Sequence, residues 1–482
     1  MYKEVADIFR VNEENAERCF NEDENDIRGK FDRDRDRILY SRAFRRLHGK
    51  TQVFISGEDD HIRNRLSHTL EVAQLARTIT KALNLNESLA EAIALGHDIG
   101  HTPFGHVGER TLNYIMNGCD ELRDFKGILG ERKGFKHNLQ SIRVVTELES
   151  HSENYKGLNL TLYTMWGMLN HSKIAYSKCK CYYMDNNKQM CTLRRQGNEC
   201  NNSEKKLSLD FYKQYLDKFN NNKLVTIEGL IVAIADEIAQ RHHDVEDALE
   251  AKIITYKELT EKIYNTYSEF YNTEDDEKFK KLVKIKDSDL QKITLSSFLV
   301  NLITRTLIEN INIKLINYKQ LYNLNKNIDF EDKKNNDMFI ENLKRDIDFS
   351  EKFKKKDKEF QKFIWNRILN SHKAQSMDGK GNFIIREIFK AYLTNPQQLP
   401  DKTIVRLFDN LNDTTAINYL EQEAVKDELQ KIGYLRNKLQ EFHSQNNKEY
   451  KEALMRTICD YIAGMTDKYA LSLYSSLYEN KY

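Results

Sequence analysis

Four of the chain's thirteen histidines fall between positions 97 and 137, as His97, His101, His106 and His137. Asp98 adjoins the first, and Glu109 follows His106 by three. Imidazoles and carboxylates at that density suit metal ligation and proton handling better than packing. His68 shares a helical face with Val72, Leu75 and Ile79, His97 with Ala90, Ile93 and Ala94, and Asp236 with Gly229 and Val232. All three therefore point to the core side of their helices. A carboxylate there is costly unless it is paired or binds a cation. Asp98 and Asp236 converging with His68 and His97 have the composition of a divalent-metal site, which suits Mn, Fe, Ni or Zn better than Mg. Taken singly, His68 reads as a hydrogen-bonded core histidine and Asp236 as a salt-bridge partner within its helix. Taken together, the four read as ligands.

The segment HDIGHTPFGH (97–106) adds geometry. Its helix is expected to end near Gly100, and Pro103 and Gly105 turn the chain back. His101 then lies one turn past His97, on the same side. His106 and Glu109, at i and i+3 on the next helix, form a general acid–base pair in which the carboxylate fixes the imidazole tautomer. The competing reading is a surface salt bridge.

These residues need helices to carry them, and helical periodicity dominates. It runs over 65–83, 86–100, 226–252 and 450–477, the last interrupted at Gly464. With only 3 prolines and 19 glycines, an all-β fold is excluded and an all-α chain expected. We expect an N-terminal helical arm at 1–29, a catalytic lobe at 30–252 with an insertion at about 176–223, and a helical C-terminal lobe at 253–482. Lys+Arg (75) and Asp+Glu (74) cancel, so net charge points to neither a nucleic-acid nor a membrane partner. No leader-like or membrane-spanning run is visible, and seven scattered cysteines fit a reducing compartment, so a cytoplasmic location is expected. Cys179, Cys181, Cys191 and Cys200 cluster in the insertion. A structural Zn²⁺ site there competes with reduced cysteines in a loop, and the spacing lacks the paired C-x₂-C of strong zinc motifs. FDRDRDR (31–37) with RAFRR (42–46) reads either as an ion-paired helix or as a basic surface for a nucleotide, single-stranded DNA or another subunit.

The order His68, His97-Asp98, Asp236 resembles the H…HD…D signature of HD phosphohydrolases. HDIGHTPFGHVGE (97–109), with FDRDRDRILYSRAFRRLHGKTQVF (31–54), ADEIAQRHHDVEDAL (235–249) and DYIAGMTDKYALSLY (460–474), is similar to the deoxyguanosine triphosphate triphosphohydrolase (dGTPase) family. That resemblance implies an HD-domain helical core with an additional C-terminal lobe, and one divalent metal on His68, His97, Asp98 and Asp236. Mn²⁺ or Mg²⁺ is implied, with Ni²⁺, Fe²⁺ or Co²⁺ as alternatives. It implies His106 with Glu109 for the attacking water, and Arg65, His101 and His137 along the triphosphate. Gln52 and Asp244 would hold the sugar 3′-hydroxyl. dGTP, or dNTPs more broadly, would be cleaved to deoxynucleoside and triphosphate by a homo-oligomer, in some members a hexamer, with a nucleotide or single-stranded DNA as effector. Two positions depart from the family pattern: Gln240 stands where a tyrosine is usual, and Asn170 where a lysine is usual, with Lys173 nearby. Other enzyme readings are an HD-type nucleotide phosphatase or phosphodiesterase. The non-enzyme reading is a nucleotide- or DNA-binding regulator.

Overall fold

In the computed structural model, residues 7–22, 26–52, 63–119, 122, 133–174, 207–421, 428–445 and 447–478 are described. The fold is all-α. Among the described residues β structure is limited to isolated bridges, such as Arg18 with Thr161 and Thr51 with Asn64. The helices that matter here are α1 (Lys30–Tyr40), α2 (Arg65–Ala82), α3 (Glu87–Gly96), α4 (Gly105–Met116), α5 (His137–Arg143), α6 (Leu162–Asn170) and α7 (Ile227–Glu250). Beyond them run α8 (Ser288–Leu321), α9 (Glu351–Leu369), α10 (His372–Thr394), α11 (Lys448–Ala463) and α12 (Asp467–Tyr478).

Local chemistry sets the ends of the site-bearing helices. Asn64, Asn86 and Thr226 cap α2, α3 and α7, their side-chain oxygens accepting from the N–H groups of Ser67, Leu89 and Gly229. Apolar faces then lock α2, α3 and α7 against one another, with α1 and α6 covering α3. Val72, Ala76, Ile79, Ile93, Ile231 and Ile238 are among the fully buried side chains at this junction.

Several expectations are corrected. No α-helix forms among residues 7–22 and 26–29. In place of the helical arm is a strap of turns and bends with one 3-10 turn at Glu13–Asn15, which tucks Ile8, Phe9 and Val11 into the core. The helix carrying the His-Asp pair stops at Gly96, and His97 begins a run of turns. Packing is the reason: α5 crosses so closely that a Cβ on Gly100 would lie 2.2 Å from the Ser141 nitrogen. The stretch 176–223 is ordered structure at its far end, where Leu207, Leu209, Tyr212, Tyr215 and Phe219 are buried around a short helix, Lys213–Phe219. Apolar packing also does not divide at 252. One core runs from Ile8 through Ile368, and a second joins α4 to α10, α11 and α12.

The charged segment in α1 proves to be paired inside the molecule. Asp34, fully buried, accepts from Arg18, Thr161 and Thr164. Arg35 meets Asp32, Asp36 and Glu91, and Arg37 bonds Glu22 and the carbonyls of Leu158 and Asn159. This is the ion-paired reading of FDRDRDR.

Candidate metal centre and active site

Helix α2 delivers His68, the turn after α3 delivers His97 and Asp98, and α7 delivers Asp236. Their donor atoms converge. His68 Nε2 lies 2.9 Å from Asp236 Oδ1 and 4.0 Å from Asp98 Oδ2. His97 Nε2 lies 3.4 Å from Asp98 Oδ2 and 3.8 Å from Asp236 Oδ1. A cation with bonds of about 2.1 Å sets adjacent donors roughly 3–3.5 Å apart and opposite donors about 4.2 Å apart, so separations from 2.9 to 4.0 Å can close on a divalent ion. Two further observations agree with that fit. His97 Nδ1 donates to the Ala94 carbonyl at 2.6 Å, which leaves Nε2 as the free lone pair. That Nε2 is buried without a hydrogen-bond partner.

The electrostatics follow from the burial of both charge signs. Burial opposes ionisation of Asp98, but His97, His101 and Arg65 outweigh it and hold its carboxyl well below the usual range. Asp236 is lowered likewise by His68 and His97 against the same burial. Burial would depress His97, yet the carboxylates of Asp98 and Asp236 raise it to about 9.

A bank of imidazoles extends from this centre. His101 Nε2 lies 3.2 Å from Asp98 Oδ1, and its ring stacks on His137 with centroids 3.9 Å apart. His101 Nδ1 is buried without a partner. Burial, with Arg65 and His137 nearby, pushes His101 well below the ordinary imidazole range. His171, absent from the sequence reading, completes the bank. It follows α6, sits 3.3 Å from His137 Nε2 and 4.0 Å from Asp98 Oδ1, and is fixed by Nδ1 to the Met168 carbonyl at 2.7 Å. Nothing in its local spacing marks it, because its neighbours belong to segments some thirty or more residues away in sequence.

His106 stands at the exposed edge of this bank, its ring centroid 5.5 Å from that of His101. Crowding by the surrounding chain outweighs the exposure of its edge and, with the charges of His137, Arg65 and Lys136, pushes its pKa down to about 4 against the pull of Glu109. Glu109 lies on the same helix, but its carboxylate accepts from His137 Nδ1 and, at 2.7 Å, from Lys136 Nζ, with no hydrogen bond to His106. The expected direct pair is replaced by a Glu109–His137 contact beside His106. Arg65 is also placed differently from the expectation: it is buried, bonding Asp98 and the Thr51 carbonyl. On the far side of the centre, Gln52 Nε2 donates to Gln240 Oε1 at 3.0 Å, and Gln240 Nε2 donates to Asp244 Oδ1 at 2.7 Å. Burial raises Asp244 to about 7. Asn170 turns inward to the Trp166 carbonyl. Cys179, Cys181, Cys191 and Cys200 lie outside the described residues.

The segment bearing Gln52 and the turn that leads into the helix of His106 are tied together by α12. Asp467 accepts from Thr51 through both N–H and hydroxyl, and from the Phe104 N–H at 2.9 Å. Phe104 has φ of 60°, a conformation that costs a side-chain-bearing residue about 1–3 kcal/mol and needs such an anchor.

Helices converging on paired histidines and aspartates define an HD-type helical core, and comparison with known proteins agrees. Residues 65–241 match the HD domain, and 347–419 and 416–476 match the phosphohydrolase-associated domain. Three relatives share the name deoxyguanosinetriphosphate triphosphohydrolase-like protein. That of Rickettsia rickettsii (strain Iowa) is 34% identical over 466 residues, covering 96% of this chain and 95% of the relative. That of Rickettsia felis (strain ATCC VR-1525 / URRWXCal2) is 34% identical over 461 residues, covering 95% and 94%. That of Rickettsia canadensis (strain McKiel) is 32% identical over 460 residues, covering 95% and 96%. The chain belongs to the deoxyguanosine triphosphate triphosphohydrolase family of HD-domain phosphohydrolases. Among the described residues no helix is long and apolar enough to cross a membrane.

Proposed function

We propose that the chain hydrolyses dGTP, and other dNTPs less readily, to deoxynucleoside and inorganic triphosphate. The observation that carries this reading is the convergence of His68, His97, Asp98 and Asp236 beside a bank of imidazoles that includes a nitrogen without a partner. A divalent cation on those four residues, Mn²⁺ or Mg²⁺, would polarise a phosphoryl oxygen and neutralise developing charge. Neutral His106 at the exposed edge accepts a proton from the attacking water, while Glu109 holds His137 and so fixes the bank beside it. Water attacks the α-phosphorus, the bond to the sugar 5′-oxygen breaks, and that oxygen leaves with a proton. His101 and His137 line the triphosphate. Arg65, already bonded to Asp98, contributes its charge through that carboxylate.

For the sugar, Gln52 offers a buried Oε1 that lacks a partner, and Asp244 a second acceptor or, when protonated, a donor. These two would take the 3′-hydroxyl. The test is incubation with Mn²⁺ or Mg²⁺ and each of the four dNTPs and GTP, followed by separation of products. Deoxyguanosine with intact triphosphate is expected. Release of diphosphate or orthophosphate would instead indicate an HD-type nucleotide phosphatase and end the triphosphohydrolase reading.

A further inference from the structure

The two histidines of the metal centre are held from behind in different ways. His97 uses a backbone carbonyl, at Ala94. His68 instead faces a second ring: its Nδ1 lies 3.3 Å from Nδ1 of His243, the two rings tilted at 69°. The other nitrogen of His243, Nε2, lies 2.6 Å from Glu71 Oε2. Glu71 is three positions beyond His68 on α2, and His243 is seven beyond Asp236 on α7. The two helices that carry ligands thus also carry the pair behind them, at helical spacings that repeat the same face.

Two Nδ1 atoms that face each other share a single hydrogen. A carboxylate only accepts, so His243 Nε2 carries the N–H that meets Glu71. A neutral His243 then has a bare Nδ1, and His68 Nδ1–H must donate to it. That arrangement leaves the lone pair of His68 on Nε2, the atom 2.9 Å from Asp236 Oδ1. We propose that His243 and Glu71 are positioning residues of the metal centre: a carboxylate–imidazole–imidazole relay that fixes the tautomer and aim of His68 toward a divalent cation. The inference rests on the metal reading of His68, His97, Asp98 and Asp236.

The outer end of the relay is itself anchored. Glu71 receives Arg63 Nε at 3.1 Å and His242 Nδ1 at 3.2 Å. Glu246 takes His242 Nε2 at 3.0 Å, the hydroxyl of Ser296 from α8 at 2.6 Å, and Arg63. Glu71, His242 and His243 could by composition hold a cation of their own. The guanidinium of Arg63 already supplies the positive charge between Glu71 and Glu246, which favours the relay over a second metal site.

The test uses the full chain, stripped with a chelator and titrated with Mn²⁺ against a chromogenic competitor, with thermal melting measured with and without Mn²⁺. The parent should bind one ion. His243→Ala should bind Mn²⁺ about 10–100-fold more weakly, the usual effect of removing such a support. It should also lose much of the Mn²⁺-induced rise in melting temperature, whereas a purely structural role would lower melting equally with and without metal. His243→Asn places an amide oxygen near the former Nδ1 and should recover most of the affinity. Glu71→Gln should fall between the parent and His243→Ala. If His243→Ala does not fold, His243→Asn and Glu71→Gln carry the test, and parent-like affinity in Glu71→Gln would then overturn the relay. Parent binding with His243→Ala within twofold of it would also overturn the relay while leaving the metal centre standing. A parent that binds no ion would overturn both.

Discussion

The candidate metal side of the site and the side proposed for the sugar are built on different principles. On the metal side, two buried imidazoles and two carboxylates come from three well-capped segments, and each histidine is backed by its own hydrogen bond. On the side proposed for the sugar, Gln52 reaches α7 through the amide of Gln240, which in turn donates to Asp244. Charges taken out of water tolerate little misplacement, whereas a hydroxyl accepts many partners. The two departures that the family resemblance implies, at Gln240 and Asn170, both leave the four candidate ligands in place.

The contrast is broken most sharply at the metal. His97→Ala, or exhaustive chelation of the parent, is expected to cost at least about 10²–10³-fold in turnover, with loss of stoichiometric Mn²⁺ binding as the check. His106→Ala should lower kcat by roughly 10²–10⁴-fold while leaving one Mn²⁺ per chain, which separates proton handling from ligation. Gln240→Tyr, restoring the usual aromatic residue, should shift the ratio of kcat/KM for dGTP over GTP by about 10-fold in favour of dGTP. Melting curves of this variant should show little loss of stability.

The smallest expected effect concerns protons. Asp98 and Asp236 have lowered folded-state pKa values, so the unfolded chain binds protons more readily, and their contribution is lost as pH falls below about 4. Asp244 is opposite in sign. Its folded pKa of about 7 exceeds the ordinary value of 3.8, so the folded state holds a proton that the unfolded chain releases, and stability drops as pH rises from about 4 to 7. Asp244→Asn should remove that slope, and its melting temperature relative to the parent should climb across this interval in metal-free melts.

Legibility in the sequence followed the range of the interactions. His68, the His97-Asp98 pair and Asp236 could be proposed because helical period and residue type act within a few positions. Glu71 and His243 carried the same kind of signal, three and seven residues from ligands, but a Glu on a charged helix and one of two adjacent histidines do not announce a target. His171 had no local signal. Arg65 showed its type but not its direction, which is set by Asp98, 33 positions away. The partner of Glu109 depended on where the chain re-enters at Lys136 and His137, beyond residues outside the described set. The strap at 7–22 is held by contacts such as Val11 N–H to Glu228, 217 positions on, which no local pattern reveals. The division of the core likewise reflects which faces meet late in the chain, with α4 drawn to α10 and α11.

Asp467 is a clasp that the chain supplies last. Its carboxylate joins the Thr51 and Phe104 loops, yet it is made 416 positions after the first and 363 after the second. During synthesis the metal ligands can all have emerged and packed while these loops still lack their clasp. Under the proposed function, a ribosome-bound chain stalled before α12 is expected to carry all four candidate ligands and still lack the clasp that joins these two loops.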